Sequence, residues 1–365
     1  METMKTTLIV IAAGGTGGHI FPALSVALQF KKDRSDVSLL WIGTARSREA
    51  ELCKKHNIPL RLMNVSGMER KPTLKTVKSL LQSLYGFSRS WFLFIKNKPA
   101  AIVAFGGYVC APVLSAARFL SIPYFIHEQN TVPGLVNRIF APRARKVFAG
   151  LPLIAGKRLD IPIDETGTPV RPREESYEGF FYPPGFENKK ETIIICGGSQ
   201  GAQSMNEYLK EPVQRWAEKG YQIVWQTGDA GYRDVLVSVQ STKNIFVFAT
   251  IDDLYPYYAV ALVVIGRAGA STIAELAYFG LPCVLIPLPW AADNHQWMNA
   301  GVVEEQGWGI RVKQENLCRA EVDTSVMKIL TDKQVRETMK ALALKYAPSN
   351  AAHTIVCKIM EAIEV

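Results

Sequence analysis

Residues 262–300 read LVVIGRAGASTIAELAYFGLPCVLIPLPWAADNHQWMNA, and the punctuation of that stretch decides the fold. Leu262 to Ile265 is a β-branched, apolar run, long enough for a buried parallel strand and too short for a helix. Gly266-Arg267-Ala268-Gly269-Ala270 then turns the chain and brings backbone amides close to whatever lies above the strand, and Ser271 or Thr272 is expected to cap a helix reaching about Phe279. A helix N-terminus offers N–H groups and a positive dipole end, which suits an anion, most often phosphate. Gly280-Leu281-Pro282 stops the helix, Cys283 to Leu288 is the next buried strand, and Asp293, Asn294, His295 and Gln296 follow at its carboxyl end. Two strand ends feed one crevice.

Glu275 has two readings. Thr272-x-x-Glu275 is a capping-box spacing, in which the carboxylate bonds the Thr272 amide. In the other, it accepts hydrogen bonds from vicinal hydroxyls, as acidic side chains do for ribose, and the polar loop that follows favours this one.

The amino-terminal half repeats the device. Thr7 to Ala12 is a strand, Gly14-Gly15-Thr16-Gly17-Gly18 a phosphate-type loop, and His19 to about Lys31 a helix. The next strand, Val37 to Ile42, ends without the acidic residue that a dinucleotide site needs for ribose, so NAD and FAD are not expected. Ala101 to Phe105 leads into Gly106-Gly107-Tyr108, and Tyr124 to Ile126 into His127-Glu128-Gln129-Asn130, polar residues that are either site residues or a hydrogen-bonded corner. Leu151 to Arg173, rich in Pro, Gly and charge, reads as the interdomain connection, after which Ile193 to Cys196 and Gly197-Gly198-Ser199-Gln200-Gly201-Ala202 open a second unit. The fold class is α/β, with two Rossmann-like doubly wound domains over 1–167 and 168–345 and a last amphipathic helix within 346–365.

Composition agrees with a globular chain: 365 residues, 48% hydrophobic and 21% charged. Six widely spaced cysteines, without a C-x-x-C pair, read as reduced thiols in a cytosolic protein. The apolar run Leu8 to Ala13 is followed by a glycine loop and helix, so it reads as a strand and not a signal peptide, and no run approaches a bilayer span.

Charge is unevenly shared. Residues 1–167 carry 23 Lys and Arg against 10 Asp and Glu, net +13, while 168–365 carry 19 against 23, net −4. The first half is expected to meet an acidic surface, nucleic acid or anionic lipid. Leu74 to Ile95 explains the excess: Leu74, Val77, Leu81, Leu84, Trp91 and Ile95 recur at helical spacing, with Lys75, Lys78, Arg89 and Lys96 on a neighbouring face and Gly86 placed to break the helix in two. A Rossmann helix packed on its sheet accounts for the inner part of that stripe. Trp91-Phe92-Leu93-Phe94-Ile95, apolar on every side, suits a membrane-facing helix instead, with Leu84, Trp91, Phe92 and Phe94 as the apolar contacts and Lys75, Lys78 and Arg89 as the cationic ones.

Taken in order, Gly14-Gly15-Thr16-Gly17-Gly18-His19, Phe105-Gly106-Gly107-Tyr108, His127-Glu128-Gln129-Asn130, Gly167-Thr168-Pro169-Val170-Arg171, Gly197-Gly198-Ser199-Gln200-Gly201-Ala202 and Arg267-Ala268-Gly269-Ala270 with Glu275 resemble the MurG family of glycosyltransferases. The resemblance covers nearly the whole chain. It implies the GT-B fold, two Rossmann-like domains facing across a cleft, and a last helix that crosses back to the first. It implies inverting transfer of GlcNAc from UDP-GlcNAc to the C4 hydroxyl of MurNAc in lipid I, giving lipid II, at the cytoplasmic face of the bacterial inner membrane. Partners would be UDP-GlcNAc, lipid I, anionic phospholipid and other cell-wall enzymes, without nucleic acid.

Carried over by position, the resemblance places Ser199 and Arg171 near the diphosphate, Ile251 at the uracil, Ala270, Ser271, Thr272, Ile273, Ala274 and Glu275 around phosphate and ribose, and Gln296 on the sugar. Thr16, Gly17, Gly18 and Asn130 match first-domain positions of the cleft that bind UDP-GlcNAc, and the expected base falls on His19. Imidazole suits proton removal from a sugar hydroxyl near neutral pH; the alternative role for His19 is to steady its glycine loop. Thr168 and His295 depart from commoner residues of the family, and residues 174–190 match nothing in its pattern. No D-x-D metal clamp is evident, and Asp252-Asp253 reads as the cap of a following helix, so no metal and no cofactor are expected. Two rivals remain: a UDP-GlcNAc 2-epimerase, which shares this architecture but needs no basic aromatic face, and a nucleic-acid-binding module, which would want basic residues interleaved with stacking aromatics.

Overall fold

Alternate residues of the first strand serve two cores: Ile9, Ile11 and Ala13 pack on one side of their sheet, Val10 and Ala12 on the other. A strand buried on both faces must be apolar throughout, which is why the parallel strands here are continuous runs and not alternating ones. The computed structural model describes residues 6–44, 49–67, 74–153, 163–173, 180–198, 202–239, 242–319 and 321–364, and falls into two units, 1–170 with 348–365, and 171–347.

In the first unit β1 (Thr7–Ala13), α1 (Gly17–Asp33), β2 (Val37–Thr44), α2 (Glu49–Lys55), β3 (Leu60–Met63), α3 (Leu74–Asn97), β4 (Ala101–Gly106), α4 (Cys110–Phe119), β5 (Tyr124–Glu128), α5 (Leu135–Phe140), β6 (Lys146–Ala149) and β7 (Ile163–Glu165) form a parallel sheet of order β3-β2-β1-β4-β5-β6-β7. The second unit contains β8 (Thr192–Cys196), α6 (Gln203–Glu218), β9 (Gln222–Gln226), α7 (Asp229–Val239), β10 (Ile245–Phe248), α8 (Tyr255–Tyr258), β11 (Ala261–Gly266), α9 (Ala270–Phe279), β12 (Cys283–Leu285), α10 (His295–Glu305), β13 (Gly309–Arg311), α11 (Glu321–Thr331) and α12 (Lys333–Lys345), its sheet ordered β10-β9-β8-β11-β12-β13. The last helix, α13 (Ala351–Ile363), rejoins the first unit, where Ile355, Val356, Ile359 and Met360 enter the core beneath α1.

Strand order reverses between β1 and β4 in one sheet and between β8 and β11 in the other. Such switch points are where open α/β sheets leave a crevice past their carboxyl ends. Each of the four strands there ends in a glycine turn, so sequence punctuation and topology meet at the same places.

Helix α3 corrects several expectations. It runs unbroken through Gly86, whose missing side chain lets Pro112 of α4 approach to 3.2 Å of where a Cβ would stand. Its buried side is Ser79, Gly86, Ser90 and Phe94, while Val77, Leu80, Leu81, Leu84, Tyr85, Phe92 and Ile95 are exposed. An apolar stripe normally turns to the core; this one faces out because the small residues on the opposite side pack closer. Phe94 is only 2% exposed and belongs to the core, so it is not membrane-facing. Trp91 is half-buried against Phe87 and Phe119, with centroids 5.6 and 6.2 Å away. Lys78, Arg89 and Lys96 are exposed, and the Lys75 side chain lies outside what is described.

Residues 180–186, without a family counterpart, form an aromatic clasp of the second unit. Tyr182 stacks on Phe186 at 4.4 Å, both meet Tyr257, and the Tyr182 hydroxyl donates to Pro256 O at 2.9 Å.

Candidate active site

The first glycine loop is held from three sides. Trp41 Nε1 donates to Ala13 O at 3.2 Å, and Glu49 closes against Gly14 from α2. From β4, Gly106 and Gly107 adopt φ of +106° and +87°, which favour glycine. A Cβ on Gly107 would run into the Gly14 carbonyl oxygen, and one on Gly106 would stand 2.9 Å from the His19 ring. His19, half-buried in the first turn of α1, therefore lies directly on the β4 turn. Its Nδ1 is 3.2 Å from Gly14 O. Since a carbonyl only accepts, Nδ1 carries the proton, and in the neutral ring that leaves the lone pair on Nε2, the tautomer a general base needs. Thr16 occupies the N-cap in extended conformation without a capping hydrogen bond from its side chain, and Gly17 and Gly18 form the partly exposed first turn.

The polar run after β5 divides. Glu128 is buried and accepts from Asn130 N at 3.0 Å, Asn130 Nδ2 at 3.2 Å, Gly134 N at 2.9 Å and Asn137 Nδ2 at 2.7 Å, and Gln129 donates to Phe105 O at 2.8 Å. These two build a corner that fixes the half-buried Asn130. His127 is wholly buried, stacks on Phe105 and bonds Gly167 O at 3.2 Å through Nε2; burial pushes its pKa down to about 4, so it stays neutral.

In the second unit the N-cap of α9 is Gly269, not Ser271 or Thr272, and no side chain caps the helix. That overturns the capping-box reading of Glu275, which sits in the second turn. A glycine at that position adds no side-chain carboxylate of its own to the amide end of α9. The turn before it is clamped: Arg267, 8% exposed, donates to Ile286 O at 2.9 Å, Pro287 O at 3.4 Å and Gln314 Oε1 at 2.8 Å, and buried Asn299 donates to Ala268 O at 3.1 Å. Neither clamp stands out in the sequence; the only signal is a polar residue beside apolar ones, Arg267 after β11 and Asn299 inside α10.

Glu275 is partly buried, and desolvation pushes its pKa up to about 7, against the pull of Arg171. Arg171 pairs with Asp253 through Nη2 to Oδ1 at 3.0 Å and Nη1 to Oδ2 at 3.3 Å, with its guanidinium 4.5 Å over the Tyr255 ring. That pairing uses two of the five guanidinium donors. The N-cap of α8 is Leu254, not Asp252 or Asp253 as expected, although Asp253 does accept from Tyr255 N at 3.0 Å at the start of that helix. Ile251 is half-exposed in the loop after β10, and Ser199 lies outside the described residues. Gln296 Oε1 accepts from Leu288 N at 2.9 Å, so it braces its own loop. Asp293 and Asn294 turn that loop with φ of +50° and +56°, a conformation both residue types tolerate. No group of three or more His, Cys, Asp or Glu side chains able to hold a metal ion occurs among the described residues.

Two doubly wound sheets, each with glycine turns at its switch point, are the architecture of nucleotide-sugar enzymes, the GT-B glycosyltransferases among them. Residues 9–149 match the N-terminal domain, and residues 192–355 the C-terminal domain, of glycosyltransferase family 28. The chain belongs to that family. It is 34% identical over 360 residues to the UDP-N-acetylglucosamine–N-acetylmuramyl-(pentapeptide) pyrophosphoryl-undecaprenol N-acetylglucosamine transferase of Listeria welshimeri, covering 97% of this chain and 98% of that one. The crystal structure of Acinetobacter baumannii MurG aligns with TM-score 0.72 at 29% identity, covering 98% and 99% of the two chains. A UDP-GlcNAc 2-epimerase from Neisseria meningitidis bound to UDP-GlcNAc aligns at 0.69 with 14% identity over 97% of this chain and all of that one, a likeness of fold alone.

Proposed function

We propose that the chain transfers GlcNAc from UDP-GlcNAc to the C4 hydroxyl of the MurNAc unit of lipid I, giving lipid II for peptidoglycan, by inverting displacement at the anomeric carbon. Family membership supplies the donor and acceptor. The structural observation that carries the reading is a helix, α9, that opens on Gly269 at the switch point of its sheet, with Glu275 in its second turn.

In this reading the second unit holds the leaving group. Amides of Ala270, Ser271 and Thr272 take phosphate oxygens, the loop at Ser199 and Arg171 stand by the diphosphate, Glu275 accepts the ribose hydroxyls, Ile251 meets the uracil and Gln296 the sugar. Preorganised donors aimed at the phosphate, where charge develops, supply more of the rate acceleration in such a step than any other single effect. In the first unit His19 Nε2 takes the proton of the attacking hydroxyl, beside Thr16, Gly17, Gly18 and Asn130. The step is metal-free and needs no cofactor: Asp253 is committed to Arg171 and to the Tyr255 amide.

The lipid acceptor requires a membrane surface, and no described helix is long and apolar enough to cross one. The outward stripe of α3, rimmed by Lys78 and Arg89, supports peripheral docking on anionic phospholipid at the cytoplasmic face, beside the enzymes that supply lipid I and consume lipid II. Incubation with labelled UDP-GlcNAc and lipid I tests the whole reading: label in a lipid product is expected. ManNAc formed without acceptor would make the chain an epimerase, and binding without turnover would leave it a nucleotide-binding protein.

A further inference from the structure

Glu49, the first residue of α2, is wholly buried, and its carboxyl lies directly beneath the first glycine loop. Oε1 accepts from the Thr44 amide at 3.3 Å and the Thr44 hydroxyl at 3.4 Å, and stands 2.8 Å from where a Cβ on Gly14 would be. The Gly15 amide faces the same carboxyl and favours its ionised form, although burial wins and raises the pKa. Oε2 is buried and has no hydrogen-bond partner among the described residues. Leaving such an oxygen unpaired costs about 1–3 kcal/mol, and two long hydrogen bonds to Oε1 offset little of that. A position chosen for stability alone would hold an apolar side chain or a fully satisfied one.

What the carboxyl does reach is the turn that orients the imidazole. Gly14 O takes the His19 Nδ1 proton, the Gly107 backbone abuts that carbonyl from β4, and Glu49 bears on Gly14 and Gly15 from the α2 side. We propose that Glu49 is a positioning residue: it fixes the Gly14–Gly15 turn so that Gly14 O holds His19 in the Nδ1-protonated tautomer, with Nε2 as proton acceptor. This rests on the reading of His19 as the base.

The test reads the tautomer and the turnover separately, in the full-length enzyme. Nitrogen-15 spectra at mildly alkaline pH, with the His19 signal identified by its loss in His19→Ala, should show the Nδ1-protonated form. Glu49→Ala should shift His19 towards a tautomer mixture and lower kcat about tenfold, some 1.4 kcal/mol, while KM for UDP-GlcNAc stays within about twofold because the proposed phosphate and ribose contacts lie in the other unit. Glu49→Gln, which keeps the Oε1 acceptor, should recover most of both. A folded Glu49→Ala enzyme with the wild-type tautomer and kcat overturns the proposal. Should that variant fail to fold, Thr44→Val removes one donor to Oε1 and is read the same way: an unchanged tautomer overturns the proposal, a shifted one supports it. If His19→Ala retains turnover, the base assignment fails by itself, and the tautomer result still decides the part played by Glu49.

Discussion

In the proposed function Glu275 would join stability to donor binding through one proton. Ribose hydroxyls donate best to an ionised carboxylate, yet burial keeps this carboxyl protonated up to about pH 7. Binding of UDP-GlcNAc should therefore release a proton, and its KM should fall as pH rises through neutrality; Glu275→Gln should raise KM and flatten that dependence, as initial rates across the range would reveal. For folding the sign is opposite. The folded carboxyl holds its proton where the unfolded one, near 4.5, has lost it, so the contribution to stability is complete below 4.5 and erodes as pH rises towards 7 and beyond. The glutamine variant should consequently melt higher than wild type on the alkaline side. Arg267 is the complementary case, a cation spent on backbone carbonyls. Burial lowers its pKa only to about 10, so it remains charged. Arg267→Ala leaves Ile286 O and Gln314 without their donor and should cost about 3 kcal/mol of stability, with a donor KM raised about tenfold. Arg267→Lys, a single ammonium in place of a fork, should rescue little of it; thermal melts and donor titration check both.

Helix α3 separates what a local pattern determines from what it leaves open. Helical spacing shows which side chains share a face, but the direction of that face depends on Pro112 fitting against Gly86 and on Ser79 and Ser90 being small, which is tertiary information. Phe92 and Phe94, two residues apart and equally apolar, end at 72% and 2% exposure. For the proposed membrane docking Leu84 and Phe92 are the contacts to test, and Trp91 is a poor probe because its loss would also loosen Phe87 and Phe119. Leu84→Ser with Phe92→Ser should weaken co-sedimentation with anionic vesicles at least tenfold, given about 1.5–3 kcal/mol for each fully buried side chain, without lowering Tm. Unchanged sedimentation would remove α3 from the membrane contact. The glycine turns are legible for the opposite reason: positive φ and strand-turn-helix punctuation are local requirements. The cap of α9 is not, because glycine and threonine both satisfy N-cap chemistry, and only the backbone picks Gly269. The clasp at Phe180, Tyr182 and Phe186 has no local signature, since its partners Phe246 and Tyr257 lie far along the chain.

Across the molecule, each sheet has its own core, and the connection between them is crossed twice, because residues 348–365 return to the first unit. The return is anchored by apolar contact: Ile355 and Ile359 are wholly buried, whereas the exposed ion pairs Arg34–Glu364 and Asp33–His353 contribute little. Ile359→Ala should cost about 3 kcal/mol and lower Tm by several degrees, while Glu364→Gln should leave the melt nearly unchanged; scanning calorimetry distinguishes the two. This topology also has a consequence for biosynthesis. During translation the amino-terminal core stays short of its α13 residues until the second unit has emerged from the ribosome, so the lobe begun first cannot be finished before the other has been made. For that interval α1 carries an apolar groove waiting for its own tail, a window in which a chaperone has something to protect and a prematurely stopped chain has nothing to close it.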